Sequence, residues 1–326
     1  MLQCQLCHRT FEITRKIPWC DCGGLFDTTY FPRTLITLGE PVTPIIPIHA
    51  AGRTVAAKLE YLLPTGSFKD RGAKVLVSAM KELGVPRFME DSSGNAAAAM
   101  SAYAARAGIL CEIYCPSTAS PTKLVQVQRT GATIHRIDGP RDNTTATVME
   151  QAGKIFYASH NWHPLFLHGT KSMAYEILDQ YNGQPPRHIV APTGGGAVLL
   201  GLHLGFTELI TSGKMSSMPK LHAVQAEACA PLVHEQVTAR PSIAEGILTA
   251  RPPRLPMLKR VVDSVTVVSE EEIIDGFRSL GRQGINAEPT SAVVVPALKK
   301  LSVPLNDLNE SILVILTGSG LKSAFL

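Results

Sequence analysis

The chain has 326 residues, of which 45% are hydrophobic and 18% are charged. The high hydrophobic fraction, together with a charged fraction below the roughly 25% of an average globular protein, excludes a disordered, collagen-like or coiled-coil chain. The 31 Lys and Arg residues exceed the 27 Asp and Glu residues only slightly, so charge alone does not indicate a nucleic-acid binder. No run of 18 apolar residues and no secretion signal is found, which predicts a cytoplasmic protein that does not enter a membrane.

Four of the seven cysteines lie within the first 22 residues. They are arranged as Cys4-x2-Cys7 and, twelve residues later, Cys20-x-Cys22. An odd number of cysteines, clustered in this way, argues against a disulfide framework. We predict a small cysteine-rich knuckle over residues 1–27, in which Cys4, Cys7, Cys20 and Cys22 are candidate ligands of a structural zinc and His8 is a candidate substitute ligand. Because only one residue separates the second pair, a reduced, metal-free knuckle that serves packing alone is the alternative.

From residue 41 onward, short apolar runs rich in β-branched residues alternate with helical patterns. This alternation predicts βα units around a mostly parallel sheet. The predicted strands are 87–91, 110–114, 132–137, 188–191, 221–225 and 312–316. The predicted helices are 69–83, the alanine-rich 96–107, and 197–210, and the proline-rich segment 251–256 is predicted to be a loop.

The sequence PTGSFKDRG over residues 64–72 places a lysine in the first turn of a predicted helix. The positive end of the helix dipole and desolvation both disfavour the charged form of Lys69, which favours an amine able to act as a nucleophile. An isolated lysine at a helix start is more often a solvated surface residue. The assignment therefore depends on what accompanies it.

Three further glycine-rich turns follow predicted strands, where the ligand crevices of parallel sheets lie. Residues 92–96 offer backbone N–H groups to a carboxylate, and Asn95 can donate to a ring oxygen. Residues 193–197 offer bare amides and a helix start, which suit a phosphate. The turn after the last predicted strand places the Thr317 hydroxyl at a strand end, without the charge that an aspartate would bring.

Together these motifs resemble threonine synthase and its relatives, which are pyridoxal phosphate (PLP) enzymes of the tryptophan-synthase-β fold, fold type II. The resemblance extends in order over nearly the whole chain, and the cysteine-rich start is similar to that of many threonine synthases. It rests on residues 64–72, on Ser92-Ser-Gly-Asn95 with the alanine-rich helix, on Lys123 and Gln126, on Glu288-Pro289, and on residues 316–322.

The resemblance implies a fold of two open-sheet α/β domains with PLP in the cleft between them. The small domain is expected over residues 73–165. The large PLP-binding domain is expected to combine residues 28–72 and 166–326, after the cysteine-rich segment 1–27. A homodimer is the usual state of such relatives.

The resemblance also implies a role for each motif. Lys69 is expected to hold PLP covalently and then to move the Cα proton of the substrate. Asn95 is expected to hydrogen-bond the phenolic oxygen of PLP, and Thr317 to face its pyridine nitrogen. A neutral hydroxyl at this nitrogen favours elimination or replacement over transamination. The PLP phosphate is expected on the glycine-rich turn, whose residues are Thr193, Gly194, Gly195 and Gly196.

The substrate is expected on a second set of residues. Its carboxylate is expected to meet the backbone of Ser92, Ser93, Gly94 and Ala96, and a distal phosphate is expected to meet Lys123 and the segment 159–172. Three histidines lie in that segment, at positions 160, 163 and 168, and they form either a polar wall of the substrate pocket or an ordinary loop.

Two departures from the threonine synthase pattern keep the reaction open. Ala96 stands where these enzymes commonly have the threonine that helps to bind the substrate phosphate. The loop over residues 193–197 and the segment 243–247 are closer to serine and threonine ammonia-lyases. The leading prediction is conversion of O-phospho-L-homoserine to L-threonine and phosphate. The alternative is a serine/threonine ammonia-lyase or a β-replacement enzyme that acts on a β-substituted alanine.

Two other classes of protein fit the sequence less well. A zinc-knuckle nucleic-acid adaptor would need a basic stripe with interleaved aromatic residues, yet aromatic residues form only 6% of the chain. A nucleotide-binding protein would need Gly-Lys-Ser/Thr at the end of the loop over residues 193–197, and the loop lacks it. A PLP enzyme with a small amino-acid substrate, and with no nucleic-acid partner, accounts for all four turns together.

Overall fold

The computed structural model describes residues 1–119, 121–139, 141–301 and 311–322, apart from the side chains at positions 123, 141 and 142. The chain forms two compact units. Unit 1 comprises Met1–Glu40 and Lys69–Gly169, and unit 2 comprises Pro41–Phe68 and Thr170–Leu326. Within the described ranges, no helix is both long and apolar enough to cross a membrane.

Every strand predicted from the sequence is present, within two residues of its expected bounds. The strands in the described ranges are β1 (Leu2–Cys4), β2 (Thr10–Phe11), β3 (Phe26–Thr28), β4 (Ile45–Ala50), β5 (Arg53–Leu59), β6 (Arg87–Glu90), β7 (Leu110–Pro116), β8 (Thr133–Ile137), β9 (Phe156–Tyr157), β10 (His188–Pro192), β11 (Lys220–Ala226), β12 (Ser264–Val268) and β13 (Ile312–Leu316). Sequence analysis did not identify β4, β5, β9 and β12, or the three short strands of the knuckle.

The three predicted helices are also present, and others join them. The helices are α1 (Lys69–Glu82), α2 (Asn95–Ala107), α3 (Pro121–Arg129), α4 (Arg141–Gln151), α5 (Pro164–Thr170), α6 (Ser172–Gln180), α7 (Ala197–Thr211), α8 (Leu255–Val261), α9 (Glu270–Gly281), α10 (Pro289–Ala292) and α11 (Val294–Lys300). The predicted loop over 251–256 is wrong at its end, because α8 begins at Leu255 and takes Pro256 into its first turn. Proline is tolerated there since the first N–H groups of a helix need no partner within it.

Unit 1 contains a parallel sheet and the small antiparallel sheet of the knuckle. The parallel sheet has the order β8-β7-β6-β9, and the knuckle sheet has the order β2-β1-β3. The chain runs from β6 through β7 to β8 and then returns to β9 on the other side of β6. The carboxyl ends of β6 and β9 therefore form a topological switch point, where open α/β sheets bind ligands.

Residues 28–40 belong to unit 1, whereas sequence analysis grouped them with the large domain. The hydroxyl of Tyr30 donates to the Glu82 carboxylate at 3.1 Å, and the backbone N–H of Arg33 donates to the same carboxylate at 2.7 Å. These bonds attach the segment to the end of α1. Unit 1 also takes Lys69–Gly169, a slightly longer range than the expected small domain.

Unit 2 is built on a six-stranded sheet of order β12-β11-β10-β13-β5-β4. All neighbouring pairs are parallel except β4 with β5, at one edge. The central strands β10 and β13 are buried along their whole length, as expected for parallel strands covered on both faces. Val190 pairs with Val314, so Thr193 and Thr317, each three residues further, end neighbouring strands at the same edge of the sheet.

Candidate active site

Lys69 is the first residue of α1 and the first residue after the chain passes from unit 2 into unit 1. It is half-buried, and its Nζ lies 5.6 Å from the centroid of the Phe166 ring. Gly72 allows α1 to approach this ring, because a Cβ at position 72 would lie 2.5 Å from Phe166. The lysine therefore lies beside an aromatic face at a helix start, unlike a freely solvated surface lysine.

The segment that leads into Lys69 is fixed to the turn after β13. The N–H of Phe68 donates to the carbonyl of Thr317 at 3.0 Å, and the N–H of Ser319 donates to the carbonyl of Gly66 at 2.9 Å. Within unit 2, backbone hydrogen bonds thus join residues 66–68, which precede Lys69 in the sequence, to the Thr317 turn. Sequence analysis treated them as separate motifs.

Ser67 is a candidate residue that sequence analysis missed. Its side chain is fully buried, and its Oγ has no hydrogen-bond partner among the described residues. A buried hydroxyl without a partner costs free energy unless a ligand or water uses it. Its position two residues before Lys69 was the available signal.

The α2 turn, residues 92–95, connects β6 to α2. Its helix begins after Gly94, and no side chain caps it. The Gly94 N–H donates to Ser92 Oγ at 3.2 Å and closes the turn. The other N–H groups of the first helical turn have no partner within the helix and suit an anion. Ala96 is 2% exposed, so its methyl group packs inside unit 1.

Two buried carboxylates, Glu90 and Asp91, immediately precede the α2 turn, and sequence analysis did not assign them. Glu90 accepts hydrogen bonds from the backbone and the ring of His160, with the Nδ1 to Oε1 distance at 2.5 Å. Asp91 accepts from the Tyr157 hydroxyl at 2.6 Å and from Thr145 Oγ1 at 3.3 Å. Burial raises the pKa of Tyr157 well above its usual value, so its phenol remains a donor.

The three histidines of the 159–172 segment occupy different environments. His160 is buried against Glu90, which makes it a structural partner of that carboxylate. His163 is buried with its ring 5.7 Å from that of Phe156. His168 lies on α5 with its Nε2 3.6 Å from the Asp27 carboxylate. Lys123 lies on α3, but its side chain falls outside the part of the chain that the structure describes.

The α7 turn, residues 193–196, connects β10 to α7 and also starts a helix without a side-chain cap. Gly196 is its N-cap residue with φ +84°, a conformation that favours glycine. The N–H groups of the three glycines donate to no described residue. Thr193 uses its hydroxyl to donate to the Ala191 carbonyl at 3.0 Å, so the turn offers a ligand its backbone. This donor set fits a phosphate.

Close packing makes glycine necessary in the α7 turn. A Cβ at Gly194 would lie 2.8 Å from the Cα of Ile247, and one at Gly196 would lie 2.5 Å from the side chain of Leu258. The segments that carry Ile247 and Leu258 thereby fix the course of the turn. A rigid backbone cradle with unpaired N–H groups is what a phosphate dianion requires.

Thr317 is oriented by Ser291, which sequence analysis missed. Ser291 Oγ accepts hydrogen bonds from the N–H groups of Thr317 and Gly318, both at 2.9 Å, and lies 3.1 Å from Thr317 Oγ1. Both side chains are buried in unit 2. Ser291 lies two residues after the Glu288-Pro289 pair, and that pair was the signal that pointed to this region.

The cysteine knuckle brings its four sulfur atoms together. The Sγ atoms of Cys4 and Cys22 are 3.5 Å apart, and those of Cys7 and Cys20 are 3.6 Å apart. All four lie within 4.8 Å of one another. Four thiolates around a tetrahedral zinc would be about 3.8 Å apart, given a Zn–S distance of about 2.3 Å. The donor set therefore fits zinc.

Solved structures with the same fold are PLP enzymes of several activities. The O-acetyl serine sulfhydrylase isoform 3 of Entamoeba histolytica aligns with a TM-score of 0.76 at 22% identity, over 90% of this chain and 92% of that one. The serine racemase of Dictyostelium discoideum aligns with a TM-score of 0.73 at 24% identity, over 86% of this chain and 93% of that one. At this identity the likeness establishes the fold, which confirms the predicted fold type II.

The relatives found by sequence share one name, whereas the solved structures have several activities. The threonine synthase of Methanocaldococcus jannaschii is 30% identical, over 99% of this chain and 93% of its own length. The threonine synthase of Halalkalibacterium halodurans is 32% identical, over 88% of this chain and 84% of its own length. The family profile described as pyridoxal-phosphate dependent enzyme matches residues 36–318. The chain therefore belongs to the family of pyridoxal-phosphate dependent enzymes.

Proposed function

We propose that this enzyme is a lyase of the threonine synthase type, which converts O-phospho-L-homoserine and water to L-threonine and phosphate. The observation that carries the proposal is the similarity to a threonine synthase over 99% of the chain, which extends into the cysteine-rich start. The reaction breaks the Cγ–O bond and releases phosphate. Cβ loses a proton and takes the hydroxyl group of water, while Cγ gains a proton and becomes the methyl group of threonine.

The cofactor is proposed to bind at three places in the sequence. The phosphate of PLP is assigned to the N–H groups of Gly194, Gly195 and Gly196, next to Thr193. Thr317, oriented by Ser291, is assigned to the pyridine nitrogen, and Asn95 to the phenolic oxygen. When bound, PLP supplies an electron sink for charge that develops at the substrate Cα.

Lys69 is proposed to hold the cofactor through its Nζ and to move the Cα proton of the substrate. Its place at the start of α1 supports this role, because the positive end of the helix dipole disfavours the charged ammonium. The neutral hydroxyl of Thr317 stabilises negative charge on the pyridine ring less than a carboxylate partner would. This favours prompt loss of a leaving group.

The substrate carboxylate is assigned to the α2 turn, with Ser92, Ser93, Gly94 and Ala96 as its residues. The uncapped start of α2 supports this assignment, since its N–H groups and helix dipole attract an anion. Lys123 is assigned to the distal phosphate of the substrate. A lysine on α3 adds positive charge that a phosphorylated substrate needs and an uncharged one does not.

A second candidate reaction is β-elimination or β-replacement on a smaller amino acid. The observation that favours it is Ala96, which leaves the first turn of α2 without a hydroxyl for a distal phosphate. The tripled glycine at 194–196 also resembles the ammonia-lyases. In that case the leaving group departs from Cβ, and the products are ammonia with a keto acid or a new β-substituted alanine.

Product analysis separates the two reactions. The purified enzyme with PLP is incubated with O-phospho-L-homoserine, threonine, serine, O-phosphoserine and O-acetylserine, each alone and each with sulfide as a nucleophile, and the products are identified by mass spectrometry. Threonine and phosphate from phosphohomoserine are expected. Ammonia and a keto acid from serine or threonine, with phosphohomoserine unchanged, would replace the proposal by the second candidate.

Two lysine variants test the assignment of Lys69. Borohydride is expected to remove the visible absorbance of the enzyme with bound PLP. It should also make the link between PLP and Lys69 irreversible, so that a peptide that contains Lys69 carries the cofactor. Lys69→Ala is expected to lower turnover by more than about 10³-fold, because both the covalent holder and the proton carrier are lost. The control is Lys74→Ala on the same helix, which should keep the label and the absorbance. Label on another lysine would refute the assignment.

Zinc in the knuckle is proposed as a structural metal, bound by Cys4, Cys7, Cys20 and Cys22. The sulfur distances support it, and so does the packing of Gly24, where a Cβ would lie 2.5 Å from Cys4 Sγ. Metal analysis of untagged protein is expected to give one zinc per chain, lost in Cys20→Ser and retained in Cys229→Ser. Protein that folds without metal would favour the packing-only knuckle.

A homodimer in a reducing compartment, the cytoplasm, completes the proposal. The seven cysteines are all free, which suits a compartment that keeps thiols reduced. The dimer follows from the threonine synthase resemblance. Light scattering during size-exclusion chromatography tests it, and a mass of one chain across micromolar concentrations would refute it.

A further inference from the structure

The switch point between β6 and β9 is held by side chains that the proposed chemistry does not use. Asp91 directly follows β6 and directly precedes the α2 turn. The hydroxyl of Tyr157, the last residue of β9, donates to Asp91 Oδ1 at 2.6 Å in a buried environment. The bond therefore joins the end of β9 to the start of the turn.

The neighbouring carboxylate adds a second connection, between β6 and the segment that follows β9. Glu90 is fully buried and accepts two hydrogen bonds from His160, one from the backbone and one from the ring. Glu90, Asp91 and His160 place their ligand atoms within 4.8 Å, as a metal site would. Hydrogen bonds within unit 1 already use these atoms, so the cluster is better interpreted as a structural support of the turn than as a metal site.

The knuckle covers the outer edge of β9. The N–H of Tyr157 donates to the carbonyl of Lys16 at 2.9 Å. Trp19 packs its ring edge-on against Tyr157, with the centroids 6.1 Å apart, and against Trp162 at 5.2 Å. Trp19 is followed directly by the zinc-ligand candidate Cys20. The strand that supports Asp91 is thus itself held by the knuckle.

These contacts form a continuous series within unit 1. It runs from Cys20 and Trp19 in the knuckle, through Tyr157 on β9, to Asp91 and the α2 turn. Trp19 and Tyr157 also belong to one apolar cluster with Met89, which lies on β6. A carboxylate in such surroundings needs its donor in a fixed place, because a buried charge that loses a donor is strongly destabilised.

We propose that Trp19, Tyr157 and Asp91 form a brace, by which the cysteine knuckle keeps the α2 turn in the geometry that binds the substrate carboxylate. The three are positioning residues, since none is assigned to touch the substrate. The inference rests on the proposed function, because it takes the α2 turn as the substrate carboxylate site. The inference adds that a change in the structure of the knuckle changes the affinity of the enzyme for its substrate.

Tyr157→Phe tests the brace with the loss of one oxygen atom. Hydrogen exchange of the backbone amides in residues 92–96, measured on the full-length protein without substrate, is expected to speed up about 10-fold, as for loss of a hydrogen bond to a charged group. KM for the amino-acid substrate is expected to rise about 5-fold, with kcat changed less than about 2-fold.

Tyr30→Phe is the matched control, because it removes a phenol that also donates to a carboxylate of unit 1, Glu82, away from the turn. It should leave exchange at residues 92–96 and KM unchanged. Equal exchange in the two variants and the wild type would overturn the brace. The exchange result does not depend on turnover, so failure of the proposed reaction would appear separately, as absence of product.

Cys20→Ser tests whether the brace reaches the knuckle. Faster exchange is expected in residues 155–163 and 92–96, while residues 193–197 of unit 2 keep the wild-type rate. Trp19→Ala should reproduce this pattern with the four thiols intact. Changes confined to residues 1–27 in both variants would show that the knuckle is not coupled to the turn, and would overturn the inference.

Discussion

The α2 turn of unit 1 and the α7 turn of unit 2 are both helix starts without a side-chain cap, and each follows a parallel strand at a switch point. They differ in what supports them. The α7 turn is held by close packing, with the backbone of Ile247 and the side chain of Leu258 against its glycines. The α2 turn is held by polar side chains, which bond the two carboxylates before it.

The difference corresponds to the two kinds of ligand proposed for the turns. A cofactor phosphate is always the same group, so a rigid cradle of glycine amides can have one fixed geometry that fits it. A substrate must enter and leave, and a turn fixed through hydrogen bonds to Asp91 and Glu90 can be adjusted through their partners. One turn is therefore specified by shape, and the other by a polar network.

The largest expected effect comes from a carboxylate placed in each turn. Gly195→Asp should weaken PLP binding by more than about 100-fold, because it places a like charge beside the proposed phosphate position. Ser93→Asp should leave PLP affinity near wild type and raise KM for the amino-acid substrate. Equilibrium dialysis and steady-state kinetics measure the two effects. Equal PLP affinity in both variants would remove the distinction between the turns.

A glycine-to-alanine substitution in each turn compares how closely the two turns are packed. Gly196→Ala places a Cβ at φ +84° and 2.5 Å from Leu258, which should cost about 3 kcal/mol in unfolding free energy and weaken PLP binding about 30-fold. Gly94, the N-cap of α2, has φ −120° and open space at its Cβ. Gly94→Ala should therefore change stability by less than about 0.5 kcal/mol.

Denaturant unfolding with and without PLP measures these costs. The difference between the two conditions isolates the part of each change that acts through the cofactor. A Gly94→Ala variant as unstable as Gly196→Ala would mean that both turns are fixed by shape, and the comparison would fail.

The sequence was sufficient to predict what local pattern encodes. Strands such as β10 and β13 were predicted because parallel strands buried on both faces are continuous apolar runs. The turns before Asn95 and after Thr193 were predicted because glycine between a strand and a helix has few structural alternatives. These elements depend on residues that are close in sequence.

Contacts between distant residues account for what was missed. Ser291 orients Thr317 across 26 residues of sequence, and Tyr157 supports Asp91 across 66. Neither serine nor tyrosine has a local pattern that predicts such a bond. The attachment of Tyr30 to α1 was missed for the same reason, because a polar contact from an irregular segment leaves no periodicity in the sequence.

The two units also differ in how they satisfy buried histidines, and this predicts a response to pH. In unit 1 the ring of His160 is hydrogen-bonded to the Glu90 carboxylate. In unit 2 the Nδ1 atom of His188 lies 2.9 Å from the Nε2 atom of His222. Burial, with the neighbouring His188 ring, lowers the pKa of His222 to about 4. The unfolded chain therefore binds more protons than the folded chain between about pH 6.5 and pH 4, and stability falls as pH falls through this window.

Between pH 7 and pH 5 the loss from His222 should be about 1 to 2 kcal/mol in unfolding free energy. Urea unfolding at the two pH values measures it. His222→Gln should reduce the dependence on pH, whereas the exposed His234→Gln should retain it. An unchanged slope in His222→Gln would mean that other groups account for acid sensitivity.

The smallest expected effect concerns the choice of substrate at the α2 turn. Ala96→Thr adds a hydroxyl to the first turn of α2, where Ala96 is 2% exposed. A hydrogen bond to a distal phosphate is worth about 1 kcal/mol, so kcat/KM for phosphohomoserine should rise about 5-fold, with no gain for O-acetylserine.

Ala105→Thr, at an exposed position of the same helix, controls for the lower helix propensity of threonine. A gain for O-acetylserine alone would assign the turn to a smaller β-substituted substrate. No gain for either substrate would mean that a hydroxyl at position 96 does not reach a distal phosphate, and would contradict the prediction.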